Sequence, residues 1–115
     1  MKTFGETIRE LRVAQDLGLR ETAGKVGISP AYLSRIERGK ESPPNPEIIK
    51  TLARNLAADP DVLFRLSSST DPELTDYMHN QPEVLQLLRF LNKEKFDAKQ
   101  LELLLERAIQ IANSE

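Results

Sequence analysis

Proline placement constrains the fold of this chain more than any other sequence feature. Five of its seven prolines directly follow a polar residue suited to cap a helix, in the pairs Ser29-Pro30, Asn45-Pro46, Asp59-Pro60, Asp71-Pro72 and Gln81-Pro82. Proline fits the first position of a helix because its ring fixes φ near the helical value and because the N–H it lacks would be unpaired there. Each of the five pairs therefore predicts the start of a helix.

Two capping boxes predict a helix at each end of the chain. Thr3 with Glu6 has the spacing of a capping box before the first helix, and Asp97 with Gln100 is a variant of it before the last. No stretch alternates convincingly between apolar and polar residues with period two, so no β-sheet is expected. The predicted fold class is all-α.

Apolar residues with helical spacing divide the chain into two parts. The first 66 residues contain five such segments, and Gly18, Gly27 and Gly39 stand where helices are expected to end. The polar run at residues 67–70 predicts a boundary. We therefore expect a five-helix domain at 1–66 and a helical tail at 67–115, with tail helices near 71–80, 82–92 and 97–113. The apolar positions of the five segments are Phe4, Ile8, Leu11 and Val13; Thr22, Ala23 and Val26; Leu33 and Ile36; Ile48, Ile49, Leu52, Ala53 and Leu56; and Val62, Leu63 and Leu66.

Residues 19–39 have the pattern of two short helices joined by a tight turn. Ala23 is small enough to let the helices cross closely, and Gly27 permits a left-handed residue between them. Leu33 and Ile36 are three residues apart and face inward. The positions that then face outward are Pro30, Ala31, Tyr32, Ser34, Arg35 and Arg38. A short helix that projects from a compact support, with a small or polar first turn, suits the major groove of DNA.

The run from Ala31 to Lys40, AYLSRIERGK, resembles the recognition helix of the phage-repressor (Xre-like) helix-turn-helix family. The resemblance covers roughly residues 4 to 66 and includes the spacing, the glycines and the fourth and fifth helices. It implies a five-helix fold and sequence-specific binding of double-stranded DNA, usually by dimers and usually for repression. The tail is similar to a short helical extension of some bacterial members.

The resemblance also implies roles for single residues. Pro30, Ala31, Ser34 and Arg35 match positions that contact base edges, Tyr32 matches the rim of the groove, and Ser29, Arg38 and Lys40 match positions that contact phosphates. Arg12 and Glu37 match a partly buried ion pair between the first and third helices. Leu19 replaces the family's glutamine at the start of the second helix, and residues 41–45 lack the basic side chains of some members. We therefore expect modest affinity for DNA from each monomer.

Charge and composition limit the other functions that the chain could have. The net charge of -2 hides an asymmetry, since residues 1–66 carry 11 Lys and Arg against 9 Asp and Glu, whereas residues 67–115 carry 5 against 9. There is no cysteine, and the single histidine, His79, has no partner for a metal site or for catalysis. We expect no cofactor, no metal and no enzymatic activity. No apolar run approaches the roughly 20 residues of a membrane span, so a soluble cytoplasmic protein is expected.

The predicted tail helices are apolar on more than one side. In 97–113, Leu103 and Ile111 lie off the main apolar face, and in 82–92 the same holds for Leu87 and Phe90. Such helices need more than one packing partner. Self-association is preferred over simple packing of the tail on the N-terminal unit. A groove for another protein, such as an anti-repressor or a toxin, is the competing functional interpretation. The functional hypotheses are accordingly a homodimeric transcriptional regulator, more often a repressor, and an antitoxin-like module that holds a partner protein.

Overall fold

The structure, a computed structural model, describes residues 2–114 and is all-helical over that range. Eight α-helices and no strand are found within it, which confirms the predicted fold class. Their bounds are α1 Phe4–Ala14, α2 Leu19–Val26, α3 Pro30–Glu37, α4 Pro46–Asn55, α5 Pro60–Ser67, α6 Pro72–Asn80, α7 Pro82–Lys93 and α8 Ala98–Ala112. None of these helices combines the length and the apolar character that crossing a bilayer would take.

The predicted helix starts are confirmed, although the Gln81 side chain makes no capping hydrogen bond, and one glycine needs a correction. Thr3 and Asp97 each form a capping box, and all five cap-proline pairs lie at helix starts. The expectation that Gly18 ends a helix is wrong. α1 ends at Ala14, and the left-handed residue after it is Asp16, with φ 57°. Gly18 is instead the N-cap of α2, where the extended backbone needs no glycine.

The hydrophobic core lies among α1 to α5. Twelve buried apolar side chains form one cluster there: Phe4, Ile8, Ala23, Val26, Leu33, Ile36, Ile49, Leu52, Ala53, Leu56, Leu63 and Phe64. Gly5 permits the close crossing of α1 and α3, because a Cβ at that position would overlap the carbonyl oxygen of Ile36. Val13 was expected on the inner face of α1, but its side chain is 54% exposed. Val13 is nine residues from Phe4 and therefore lies on the opposite side of α1, whereas Leu11 in the same turn packs against the core.

The chain divides into two compact units, which are described separately. The N-terminal unit comprises residues 1–75 and the C-terminal unit residues 76–115. The N-terminal unit includes the start of α6, and Lys50 of α4 forms ion pairs with Asp71 at 3.4 Å and with Glu73 at 3.8 Å. The predicted boundary at residues 66 and 67 takes no account of these pairs. That the first part of the chain binds DNA and the second part dimerises stays a prediction.

The C-terminal unit consists of regular helices without a core of its own. None of its described residues is buried. The rings of Phe90 in α7 and Phe96, which precedes α8, meet edge to face with their centres 6.0 Å apart. The large apolar side chains that are left at least two-fifths exposed are Tyr77, Leu85, Leu87, Leu88, Phe90, Leu101, Leu103, Leu105, Ile109 and Ile111.

Candidate nucleic-acid interface

A buried ion pair fixes α3 against α1. The Arg12 side chain donates to Glu37 through Nε at 2.8 Å and through Nη2 at 2.9 Å, and its Nη1 donates to the carbonyl oxygen of Leu17 at 2.9 Å. The two side chains are only 13% and 4% exposed. The hydrogen bond that Arg12 donates to the Glu37 carboxylate raises the pKa of Arg12 above its ordinary value. The predicted pairing of these residues is confirmed, and it holds the end of α3 in place.

The turn between α2 and α3 has the geometry that the sequence predicts. Gly27 is left-handed, with φ 84°, and its N–H closes α2 by donating to the carbonyl of Ala23. Ser29 caps α3, since its hydroxyl accepts from the backbone N–H of Tyr32 at 3.1 Å. Ala23 and Leu33 are completely buried, so the two helices cross closely. Leu19, where the family's glutamine is absent, packs against this core.

The eight predicted DNA-contacting residues lie on α3 and at its two ends. Ser29, Ala31, Arg35, Arg38 and Lys40 are exposed, whereas Pro30, Tyr32 and Ser34 are half-buried. Leu33, Ile36 and Glu37 are the buried residues of the helix. The outward face of α3 is therefore the one predicted, and the predicted residues form a continuous surface. Their contacts with DNA remain a prediction.

The chain reverses sharply where α3 ends. Gly39 is left-handed, with φ 72°. Its N–H donates to the carbonyl of Ile36 at 3.1 Å, and the N–H of Lys40 donates back to the carbonyl of Arg35 at 2.8 Å. These two bonds form a Schellman motif, in which a residue without a Cβ is favoured at the left-handed position. The reversal returns the following residues along α3.

Glu41 forms an ion pair with Arg35 that the sequence analysis missed. Nε of Arg35 donates to Oε2 of Glu41 at 3.1 Å, and both side chains are partly exposed, at 45% and 41%. The guanidinium also lies over the ring of Tyr32, with its carbon 5.9 Å from the ring centre. The available signal was the left-handed Gly39, which predicts a chain reversal between the two charges.

Arg38 has a neutral partner instead. Its Nε donates to the carbonyl oxygen of Ser34 at 3.3 Å and to the hydroxyl of the same residue at 3.2 Å. The two arginines of α3 thus differ: Arg35 is held by a carboxylate, whereas Arg38 keeps its full charge uncompensated by an ion pair among residues 2–114. In the same range, no group of three or more His, Cys, Asp or Glu side chains is arranged to hold a metal ion.

Comparison with known proteins agrees with this geometry. A family model described as a helix-turn-helix domain matches residues 3–66. The HTH-type transcriptional repressor RghR of Bacillus subtilis strain 168 is 45% identical over 56 residues, which are 49% of this chain and 42% of the repressor. The chain thus spans about two-fifths of that relative's length.

Two solved structures resemble the N-terminal part. SinR, a master regulator of biofilm formation solved in complex with DNA, superposes with a TM-score of 0.51 and 27% identity over 54% of this chain and 98% of its own. The P22 c2 repressor, solved with a synthetic operator, superposes with a TM-score of 0.51 and 30% identity over 55% of this chain and 94% of its own. These matches confirm the resemblance to the phage-repressor family.

Proposed function

The chain belongs to the helix-turn-helix family whose model matches residues 3–66, and we propose that it is a sequence-specific regulator of transcription that binds double-stranded DNA through α3. The observation that carries this proposal is the outward face of α3. Arg35, Arg38 and Lys40 are exposed on it, while the buried Arg12–Glu37 pair and the core fix the helix behind it. A rigid helix with cations on one face is the element that enters the major groove in this class of domain.

The proposed contacts fall into two groups. Arg35, with Pro30, Ala31 and Ser34, contacts base edges, since an arginine can donate to both acceptors of a guanine in the major groove. Ser29, Arg38 and Lys40 contact phosphates, which position the domain without distinguishing sequences. Tyr32, half-buried and packed against the core, lies at the rim of the groove.

Repression by a homodimer is the proposed mode of action. The RghR relative is named a repressor, and a dimer bound across a promoter occludes it. The exposed apolar side chains of α7 and α8 supply the surface on which two copies associate. Two linked copies would place their α3 helices in successive major grooves, about 34 Å apart. The proposed location is the cytoplasm, where bacterial DNA lies.

Selection of bound duplexes from a random DNA pool tests the proposal. We expect enrichment of a site with two inverted half-sites whose centres are about one helical turn, 10 to 10.5 base pairs, apart or a multiple of it. Enrichment of a single unpaired half-site would contradict the homodimer but not DNA binding. No enrichment at all, together with co-purification of a stoichiometric protein partner, would replace the regulator with the antitoxin-like alternative. The family and the RghR relative support the regulator.

A further inference from the structure

The ion pair between Arg35 and Glu41 has a consequence for DNA selectivity beyond the contacts proposed above. Glu41 follows the Schellman turn at Gly39, which returns the chain toward the middle of α3. Only one donor of the Arg35 guanidinium, Nε, is used by the carboxylate. Within the described residues, no hydrogen bond involves the terminal nitrogens Nη1 and Nη2 of Arg35.

Those two terminal nitrogens can together donate to a guanine. A guanidinium carries five N–H donors in a fixed fork, so Nε can stay on a carboxylate while Nη1 and Nη2 donate elsewhere. A guanine edge offers two neighbouring acceptors, O6 and N7, in the major groove. Arg35 can therefore contact a guanine without leaving Glu41, and the ring of Tyr32 beside it further limits its orientations.

Glu41 should instead disfavour the binding of Arg35 to a phosphate. An arginine that binds phosphate places its charge against the DNA backbone, and Glu41 would then bring a carboxylate close to the same anion. Like charges at short range are unfavourable even near a solvated surface. Arg38 carries no such carboxylate and binds phosphate without this cost.

We propose that Glu41 is a positioning residue that orients Arg35 for a base edge and prevents it from binding phosphates on unselected DNA. This inference rests on the proposed function. Glu41 lowers the affinity for random DNA more than it lowers the affinity for the selected site, and so it raises the ratio between them. It contacts no base itself.

The test compares Glu41→Gln with Glu47→Gln. Both changes remove one negative charge from an exposed glutamate of the N-terminal unit, but Glu47 forms no ion pair with an arginine of α3. Each variant and the wild type are titrated with the selected duplex and with a scrambled duplex of equal length at several salt concentrations. Both glutamates are also replaced in an Arg35→Ala background, which removes the side chain that Glu41 is proposed to orient.

Glu41→Gln is expected to lower the ratio of selected to scrambled affinity about tenfold, within the discrimination that one bidentate arginine supplies. The slope of log affinity against log salt on scrambled DNA should steepen by about one unit, because Arg35 gains a phosphate. Glu47→Gln should leave the ratio unchanged, and Glu41→Gln should have no effect on the ratio in the Arg35→Ala background.

Four outcomes overturn the inference. If Glu41→Gln and Glu47→Gln change the ratio of affinities equally, Glu41 acts only through its negative charge and not by orienting Arg35. An effect of Glu41→Gln that persists without Arg35 would show that it does not act through Arg35. If the wild type binds the selected duplex and Glu41→Gln leaves the ratio of selected to scrambled affinity unchanged, the inference is rejected and the proposed function is kept. If the wild type binds no duplex, both are rejected.

Discussion

The N-terminal unit buries twelve apolar side chains in one cluster, whereas none of the described residues of the C-terminal unit is buried. Yet the helices of both units are equally regular, and α8 has a capping box like that of α1. Caps and apolar spacing thus define helices in both units, but they do not by themselves supply a core. Burial of the apolar faces of α7 and α8 requires a partner, and we propose that the partner is a second copy.

The largest effect is expected from a charge placed on the C-terminal unit. Leu105 is 61% exposed, so Leu105→Glu should leave the N-terminal unit folded while it disrupts the proposed dimer. Loss of the link between two DNA-binding units should weaken binding to the selected site about a hundredfold, at the low end of what linked sites contribute. Light scattering at tens of micromolar and DNA titration measure the two effects. A full-length wild type that is monomeric at that concentration contradicts the proposed dimer.

A second prediction concerns the buried ion pair of the N-terminal unit. Glu37→Ala leaves the Arg12 guanidinium buried without its partner and should destabilise the fold by about 3 kcal/mol, as is usual for such a break. Arg107→Ala is the matched control, because Arg107 in the C-terminal unit bonds only Gln110 in an exposed pair. That variant should change stability by less than about 0.5 kcal/mol. Urea unfolding measures both, and equal values would remove this difference between the units.

Alanine substitutions at two glycines of the N-terminal unit should change stability in opposite directions. Gly5→Ala places a methyl group against the backbone of α3 and should cost about 2 kcal/mol, a typical value for overpacking. Gly24 is an exposed helical glycine with no neighbour within reach of a Cβ, so Gly24→Ala should gain about 0.5 to 1 kcal/mol. Thermal unfolding distinguishes the two signs. A neutral Gly5→Ala would show that the crossing of α1 and α3 is looser than described.

A similarly small effect is expected at the one buried polar side-chain atom without a partner among the described residues. The hydroxyl of Thr22 forms no hydrogen bond, and the residue is 2% exposed. Thr22→Val keeps the shape and removes the unpaired hydroxyl, so it should stabilise the fold by about 1 kcal/mol. Thr51→Val is the control, since its hydroxyl donates to the carbonyl of Glu47. Destabilisation by Thr22→Val would indicate that the hydroxyl has a partner in solution.

Local signals predicted the helices because each start is decided by a few adjacent residues. Ser29-Pro30 and Asn45-Pro46 contain their cap and first helical residue side by side, and both helices begin there. The end of α1 was harder to predict, because the left-handed residue after the helix is Asp16 and not a glycine. The exposure of Val13 could have been predicted, because about 3.6 residues per turn place it on the opposite side of α1 from Phe4.

Part of the candidate site was also predictable. The Arg12–Glu37 pair followed from the family resemblance, and the outward face of α3 followed from the spacing of Leu33 and Ile36. The Arg35–Glu41 pair was missed because it depends on the direction that the chain takes after Gly39. Similarly, the pairs that Lys50 forms with Asp71 and Glu73 join residues more than 20 positions apart, which local sequence signals do not predict.

The central claim is that α3 specifies sequence through Arg35 and holds DNA through Arg38. The most direct measurement titrates Arg35→Ala and Arg38→Ala with the selected duplex and with a scrambled duplex at several salt concentrations. Arg35→Ala should weaken the selected site by about 1–3 kcal/mol and relax the preference at one base pair in each half-site. Arg38→Ala should weaken both duplexes alike and flatten the salt slope by about one unit for each domain. Equal losses on both duplexes for Arg35→Ala would contradict the base contact, and unchanged binding by both variants would contradict a role of α3 in DNA recognition.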